Sequence, residues 1–593
     1  MKETYADQFC DWLIDQGYTH CFFVAGGNIM HLLNSARTRF TCIPVVHEVA
    51  VGIAVEYFNE TSPESKAFAL VTAGPGITNI VTAIAGAWLE SRELLVVAGQ
   101  VKSSDLASPN LRQRGIQEIN GIALVKSITK EAIRIEWPLP ESAVLEICRA
   151  SRAGRPGPVY IEFCLDAQGT PAEISLNDGA SALSSPRLVP TDDEMREINS
   201  AISKSERPIL LLGGGVGRSE VTQLLLHLEK LNMPIMTTWN ALDRIDASHP
   251  LYWGRPNTWG QRSANVLLQQ SDLIIAVGTR LGIQQTGFNW KGFAPLATLI
   301  HIDIDSLELT KGHPDVDLAI CADGSEVLGR IDVANEELRN ARWSEWRAFG
   351  EKVRELLPLN EVINAPRAGY LNPYDFVEEL SRVLDQDDLV IPCSSGGGFT
   401  TVMQALSQKS GQKVVTNKGL ASMGYGLSGA IGASYANPAK RVILVEGDGG
   451  FAQNIQEIGT VVAGNLPIKI FIYDNEGYAS IRMTQTNYFG GEYVGCDRAT
   501  GLGLPHWESL FTSYGIKTFP LNPIDPFSDL VIQALRSDEP VAFIVPIDPE
   551  QTYFPKITSR VLPNGSMESN PLHLMTPELS ADLAEEVFRY LNA

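Results

Sequence analysis

Short apolar runs alternate with stretches of helical period along most of this 593-residue chain. That alternation predicts parallel sheets with helices on both faces. In the first segment the runs Cys21–Val24, Cys42–Val46, Ala67–Thr72, Leu94–Ala98 and Val159–Phe163 predict strands. A polar, serine-rich stretch, Ser175–Thr191, reads as a linker. The second segment has runs at Ile209–Leu212, Pro234–Thr238, Leu273–Val277 and Leu299–Ile302. A charged exit, Asn335–Arg367, leads through Pro366 and Pro373 to the third. There the runs are Leu389–Ile391, Lys413–Thr416, Val442–Val445, Ile468–Tyr473 and Val541–Val545. The predicted fold class is α/β, with three doubly wound parallel-sheet domains over 1–172, 190–340 and 368–550. The tail, 551–593, contains several prolines and a predicted amphipathic helix, Ser580–Leu591; it either folds over a site or packs on a surface.

Charge changes this picture by exclusion. With 47 basic and 69 acidic residues the net charge is -22, which disfavours nucleic acid or an anionic membrane as partner. An anionic ligand must then be held by local donors, such as a metal or backbone amides. No apolar run approaches a membrane span, and the polar start Met1-Lys-Glu-Thr-Tyr-Ala-Asp is no signal peptide. Eight cysteines are scattered without Cys-x-x-Cys pairs. They predict reduced core thiols in a cytoplasmic protein rather than disulfides or zinc.

Candidate chemistry concentrates between Glu446 and Tyr478. Asp448 and Asn475 stand at the ends of two predicted strands, 27 residues apart, with a predicted helix between. Parallel neighbours bring both strand ends to one sheet edge, where ligands bind in open α/β sheets. Two oxygen ligands there suit Mg2+, which takes one or two protein groups plus phosphate oxygens. Alone, Gly-Asp-Gly and Asp-Asn-Glu-Gly are also ordinary turn chemistry. A second acid, Glu48, follows an apolar strand and opens a helix of small residues; there it can also serve merely to complement the helix dipole.

Together these pieces resemble the thiamine diphosphate enzymes of the acetolactate synthase and pyruvate oxidase superfamily. The first segment is similar through Val24-Ala-Gly-Gly27, His47-Glu48, Thr72-Ala-Gly-Pro-Gly-Ile-Thr-Asn79, Gly99-Gln100 and Gly154-Arg-Pro-Gly-Pro158. The third is similar through Gly419-Leu-Ala-Ser-Met-Gly-Tyr-Gly426, Gly447-Asp-Gly449 and Asp474-Asn475. The resemblance implies a pyrimidine-binding, a central and a diphosphate-binding domain. It gives Glu48 the hydrogen bond to the cofactor's pyrimidine that promotes the imino tautomer, and it gives Asp448, Asn475 and the carbonyl of Gly477 the Mg2+. Met423 would underlie the bent cofactor, although a core methionine is the commoner role of that residue type. Gly26, Gly74, Asn79, Gly397, Gly447, Gly449, Gly450 and Tyr478 are expected around the same cofactor. In the family Glu48 and Asp448 of one site come from different subunits, which implies a homodimer or a dimer of dimers.

The reaction follows from further matches and departures. The adjacent histidine pair of the family's decarboxylases has no counterpart, since no histidine follows His47 before His227. Arg112-Gln-Arg-Gly-Ile-Gln-Glu118 resembles the Phe-Gln-Glu stretch of acetolactate synthases and makes Gln117 a catalytic candidate; a surface glutamine is the alternative. A neutral amide orients carbonyls without protonating a carbanion, which favours ligation over aldehyde release. The implied reaction decarboxylates pyruvate and passes the acetyl unit to a carbonyl acceptor. Acceptor residues depart from true acetolactate synthases: Gln284 stands at the arginine position and Thr484 at the tryptophan position, with Arg482 nearby. Loss of a bidentate guanidinium weakens the case for a 2-keto acid acceptor. Leu89-Glu-Ser-Arg-Glu-Leu-Leu95 and Gly477–Gln485 resemble acetolactate-synthase-like proteins of surface-polysaccharide gene clusters, which implies a nucleotide-linked keto-deoxysugar. Acetolactate synthase proper, a 2-keto acid decarboxylase and a carbon–carbon hydrolase stay open as alternatives. In the central segment Gly214, Gly278, Arg280 and Asp303 are the expected FAD contacts, although glycine-rich turns also occur in cofactor-free α/β domains.

Overall fold

The computed structural model describes residues 3–62, 64–172, 188–561 and 563–591. Most of the predicted linker Ser175–Thr191 lies outside the described residues. Each predicted apolar run forms a strand, and the strands build three parallel sheets. The first holds β1 (Tyr18–Phe23), β2 (Thr41–Pro44), β3 (Lys66–Val71), β4 (Leu94–Gln100), β5 (Glu131–Ile135) and β6 (Pro158–Cys164), in the order β2-β1-β3-β4-β6-β5. The second holds β7 (Pro208–Leu212), β8 (Ile235–Thr237), β9 (Leu273–Val277), β10 (Thr298–Asp303) and β11 (Leu318–Cys321), in the order β11-β10-β9-β7-β8. The third holds β12 (Leu389–Pro392), β13 (Lys413–Val414), β14 (Val442–Gly447), β15 (Ile468–Asp474), β16 (Lys517–Pro520) and β17 (Val541–Pro546), in the order β13-β12-β14-β15-β17-β16. First and third sheets therefore share one strand order.

The chain divides into two compact units. One joins Met1–Ser185, Asp387–Phe399 and Lys413–Pro549, so the first and third sheets belong together. Their shared core forms where the helix Glu48–Thr61 meets the helix Tyr425–Ala436. The second helix is built largely of Gly, Ala and Ser, so the backbones approach closely. A Cβ on Gly432 would lie 2.0 Å from the Ala54 carbonyl oxygen.

The other unit joins Pro186–Gln386, Thr400–Gln412 and Glu550–Ala593 around the second sheet. The tail is part of its core: Ile557, Leu572, Met575 and Val587 are buried with Ile209, Ile274 and Leu299. Arg262 holds it further by donating to the carbonyls of Met575 (3.2 Å) and Pro577 (2.8 Å). The final helix is shorter than its apolar pattern suggests, Ala581–Val587. Phe588 leaves helical geometry, and its ring packs edge-on against His573 at 5.4 Å. No described helix is long and apolar enough to cross a membrane. The eight cysteines carry free thiols; Cys321 is exposed, so not all sit in a core.

Candidate functional site

The register of β14 on β15 pairs Gly447 with Tyr473, which sets Asp448 and Asn475 side by side at one sheet edge. The predicted helix between these strands is broken. Asp448–Phe451 is helical, Ala452–Glu457 is a tighter turn kinked at Asn454, and Ile458–Ala463 completes it. The kink has a cause: the Asn454 amide donates to the Gly424 carbonyl (2.8 Å), beside Met423.

Asp448 is fully buried. Its two oxygens accept from Gly449 N (2.6 Å) and Gly477 N (2.9 Å). Burial and the neighbouring Asp474 carboxylate push its pKa up to about 8 against those two donors. Asn475 brings one end of its amide to 3.1 Å from Asp448 Oδ1 and 2.8 Å from the Gly477 carbonyl oxygen. Turned one way, that end is NH2 and both contacts are hydrogen bonds. Turned the other way it is an oxygen, and three oxygens crowd together with nothing positive between them. A cation held there would favour the second arrangement. Neighbouring oxygens around an octahedral Mg2+ with bonds near 2.1 Å lie about 3 Å apart, the spacing seen here. Among the described residues no three acidic, histidine or cysteine side chains converge. The trio holds a single carboxylate, which suits a cation that shares its coordination with phosphate oxygens.

Gly477 is required where it stands. Its φ is +131°, and a Cβ would lie 2.3 Å from the Cys496 carbonyl oxygen. Gly449 lies against the half-buried Tyr478 ring and Gly450 beside Glu446, while Gly447 faces open space. Gly397 is buried at the start of the helix Gly396–Ala405, after β12. Because β12 and β14 are neighbours, Gly397 and Asp448 both follow the carboxyl ends of adjacent strands. Met423 is 37 % exposed, and Gln453 Nε2 lies 3.6 Å from its sulfur.

Glu48 is the first residue of its helix and is buried. Asn79 Nδ2 donates to its carboxylate at 2.9 Å, so two of the expected residues meet directly. Gly74 and Gln117 meet as well: the Gln117 carbonyl would lie 2.5 Å from a Cβ on Gly74. Gln117 itself is exposed, in left-handed conformation with φ 61°. Glu118 shapes that loop by accepting from Ala107 N (2.6 Å), Arg114 N (2.8 Å) and Gly115 N (2.9 Å). Gly26 packs against Thr72.

Two acids near these residues carry roles that sequence reasoning missed. Glu457, fully buried, accepts from Val46 N (3.2 Å) and His47 N (3.0 Å), the amides that lead into Glu48. No local pattern ties it to residues some 410 positions away. Glu446 is buried at the end of β14, and burial pushes its pKa up to about 8 although Gly426 and Leu427 amides bind it.

Arg482, expected near the acceptor, is drawn into the protein. Arg482 is buried, and its guanidinium donates to the carbonyls of Asn475 (2.5 Å), Glu476 (3.2 Å) and Pro549 (3.0 Å). It braces the Asn475 loop. Thr484 is exposed, its hydroxyl donating to Ser480 O along its own helix (3.0 Å). Gln284, in the other compact unit, is exposed, and its carbonyl accepts from Thr258 N (2.9 Å).

In that unit Gly214, Gly278, Arg280 and Asp303 follow or end β7, β9 and β10, which are neighbours, so all four lie at one sheet edge. Gly215 N donates to Gly278 O (2.9 Å), and Asp303 accepts from Asp305 N (2.9 Å).

Comparison with known proteins covers all three sheets. Residues 3–124 match the profile described as "Thiamine pyrophosphate enzyme, N-terminal TPP binding domain". Residues 195–331 match the "central domain" and 396–545 the "C-terminal TPP binding domain" of the same enzymes. A probable acetolactate synthase large subunit of Methanocaldococcus jannaschii is 31% identical over 523 residues, 85% of each chain. The acetolactate synthase isozyme 1 large subunit of Escherichia coli is 30% identical over 564 residues, covering 93% of this chain and 96% of its own.

Proposed function

The chain belongs to the thiamine pyrophosphate enzymes, on their acetolactate synthase-like branch, and from that premise we propose that it decarboxylates pyruvate and joins the resulting acetyl unit to a carbonyl acceptor. The observation that carries the site assignment is the oxygen trio of Asp448, Asn475 and Gly477. Its spacing and single carboxylate suit Mg2+ holding a diphosphate. Thiamine diphosphate, once bound, supplies an electron sink that stabilises a carbanion.

The protein's own groups do the rest. Glu48 presents a buried carboxylate to a ring nitrogen of the cofactor, held in place by Asn79 on its oxygen and by Glu457 on the amides before it. Gln117 offers a neutral amide, which orients a carbonyl without delivering a proton. Water and acids that would end the reaction as an aldehyde have no histidine pair to relay them, so ligation competes.

We assign the acceptor as a nucleotide-linked keto-deoxysugar. Support comes from Gln284 and Thr484, which replace a guanidinium and an indole by smaller neutral groups, and from the withdrawal of Arg482 into the loop beneath. A second reading, acetolactate formation from two pyruvates, is favoured by the relatives' names. FAD would take the edge formed by Gly214, Gly278, Arg280 and Asp303; a yellow chromophore in the purified protein supports that, and its absence from fresh protein removes it. A homodimer is the expected working unit, with Glu48 and Asp448 of a site on different subunits; a monomer by light scattering contradicts it.

Labelled pyruvate offered with a nucleotide-linked 4-keto-6-deoxysugar tests the acceptor. The sugar should gain one acetyl unit and a hydrogen. Acetolactate as sole product, with the sugar untouched, returns the chain to the second reading.

A further inference from the structure

The segment Leu89–Leu95 was singled out by its resemblance, and the site described so far leaves it without a task. Two of its charged residues, Glu90 and Arg92, reach the third segment of the same compact unit, while Glu93 pairs with Lys66 and Arg152 of the first. Arg92 donates to the Thr416 carbonyl (2.8 Å) and to Glu56 Oε1 (2.7 Å). Glu56, fully buried on the helix that begins with Glu48, also accepts from Asn417 Nδ2 (3.1 Å) and the Tyr425 hydroxyl (3.1 Å). Glu90 accepts from Gly419 N. These contacts grip Thr416, Asn417 and Gly419 on one flank of Met423 and Tyr425 on the other. The residues between have lighter ties: Leu420 N donates to Asn417 Oδ1, Ser394 to Ser422 O and Asn454 to Gly424 O, and Gln453 Nε2 lies against the Met423 sulfur.

We propose that Arg92, Glu56 and Glu90 form a clamp that positions the Met423 turn, and that they are positioning residues for the reaction. This rests on the reading of Met423 as the residue beneath the cofactor. The physical case is one of geometry. Ala421, two residues before Met423, has φ 56°, an unfavourable conformation for a residue with a Cβ. A turn held that way persists only where its surroundings over-determine it. A guanidinium supplies this: its planar fork binds a carbonyl and a carboxylate at once, and a lysine cannot reproduce both. Because Glu56 and Glu48 share one helix, the clamp also ties the Met423 turn to the helix that presents Glu48, which in a homodimer serves the other site.

The test compares the full-length dimeric enzyme with Arg92→Gln and Glu90→Gln by hydrogen–deuterium exchange and by binding of thiamine diphosphate with Mg2+. Loss of one charge-assisted contact should speed exchange over 416–425 by about tenfold in R92Q and about threefold in E90Q. Exchange within Glu48–Thr61 should change far less, cofactor affinity should fall with the loop, and kcat should fall more than the KM for pyruvate. R92K should recover only part of the loss. Unchanged exchange over 416–425 in both variants overturns the clamp. So does an even loss of protection through both packed helices, which marks a plain structural ion pair; E90Q, outside that pair, keeps the question open if R92Q fails to fold. If the turn loosens while cofactor affinity and kcat hold, the positioning role falls. M423A then separates the two ideas: a variant that binds and turns over normally removes Met423 from the site, and an impaired one leaves it there and removes only the clamp.

Discussion

Magnesium binding should expel a proton from Asp448, and the structure sets how much and when. The carboxyl is fully buried beside Asp474, and its pKa rises from 3.8 to about 8 despite two amide donors. At about 1.4 kcal/mol per pH unit that opposes the bare anion by on the order of 6 kcal/mol. A carboxyl raised in this way keeps its proton below pH 8 and loses it above. A metal ligand must be the anion, so binding releases what is held. At pH 7 the metal-free site holds about 0.9 proton, near pH 8 about half, and at pH 9 about 0.1. Apparent Mg2+ affinity should then fall about tenfold for each pH unit below 8. Titration calorimetry in buffers of different ionisation enthalpy counts the protons directly. Asp474 shares the titration, so Asp448→Asn is the reference: it should bind Mg2+ weakly and release none. Heats independent of buffer at pH 7, or an affinity flat from pH 6 to 9, would refute the reasoning.

Other outcomes follow from the same geometry. Asn79→Ala removes the amide seen on Glu48 and should lower kcat about fivefold, the worth of one hydrogen bond, with cofactor affinity nearly kept; a steady-state comparison decides it. Glu457→Gln weakens the acceptor of two amides ahead of Glu48 and should cost about 2 kcal/mol in denaturant unfolding together with a lower kcat. Arg482→Met strips three carbonyls of a buried donor and should weaken Mg2+ binding and stability by about 3 kcal/mol; a change confined to the acceptor KM would restore Arg482 to the acceptor pocket. Metal-free protein should lose stability as pH rises from about 4 to about 8, because the folded form holds a proton on Asp448 that the unfolded chain has given up. Melting in a chelator should show that slope in the wild type and a shallower one in D448N.

What the sequence made legible follows from where the energetics are local. Central strands are buried on both faces and announce themselves as apolar runs. Within the three parallel sheets the pattern passes over β5, β11 and β16, and each lies at a sheet edge. Glu131–Ile135, Leu318–Cys321 and Lys517–Pro520 are partly exposed along their lengths, so no apolar run marks them. The meeting of Asp448, Asn475 and Gly477 was readable because one strand–helix–strand unit supplies all three. The bracing contacts of Arg482 were silent for the opposite reason: Pro549, one of its acceptors, lies 67 residues further on. Glu457 and the Arg92 contacts are more distant still, since packing the first segment against the third brings together residues that no spacing rule connects. That merger into one unit was equally silent, because two sheets of the same strand order share no repeat that the residues display.

The exchange rate of the carbon-bound proton between nitrogen and sulfur of bound thiamine diphosphate tests the central claim most directly. Wild-type protein with Mg2+ should speed that exchange far above the rate of the free cofactor, and Glu48→Gln should bind the cofactor yet lose the acceleration. Exchange as fast in E48Q as in the wild type would contradict the account, since the buried carboxylate held by Asn79 would then have no part in activating the cofactor.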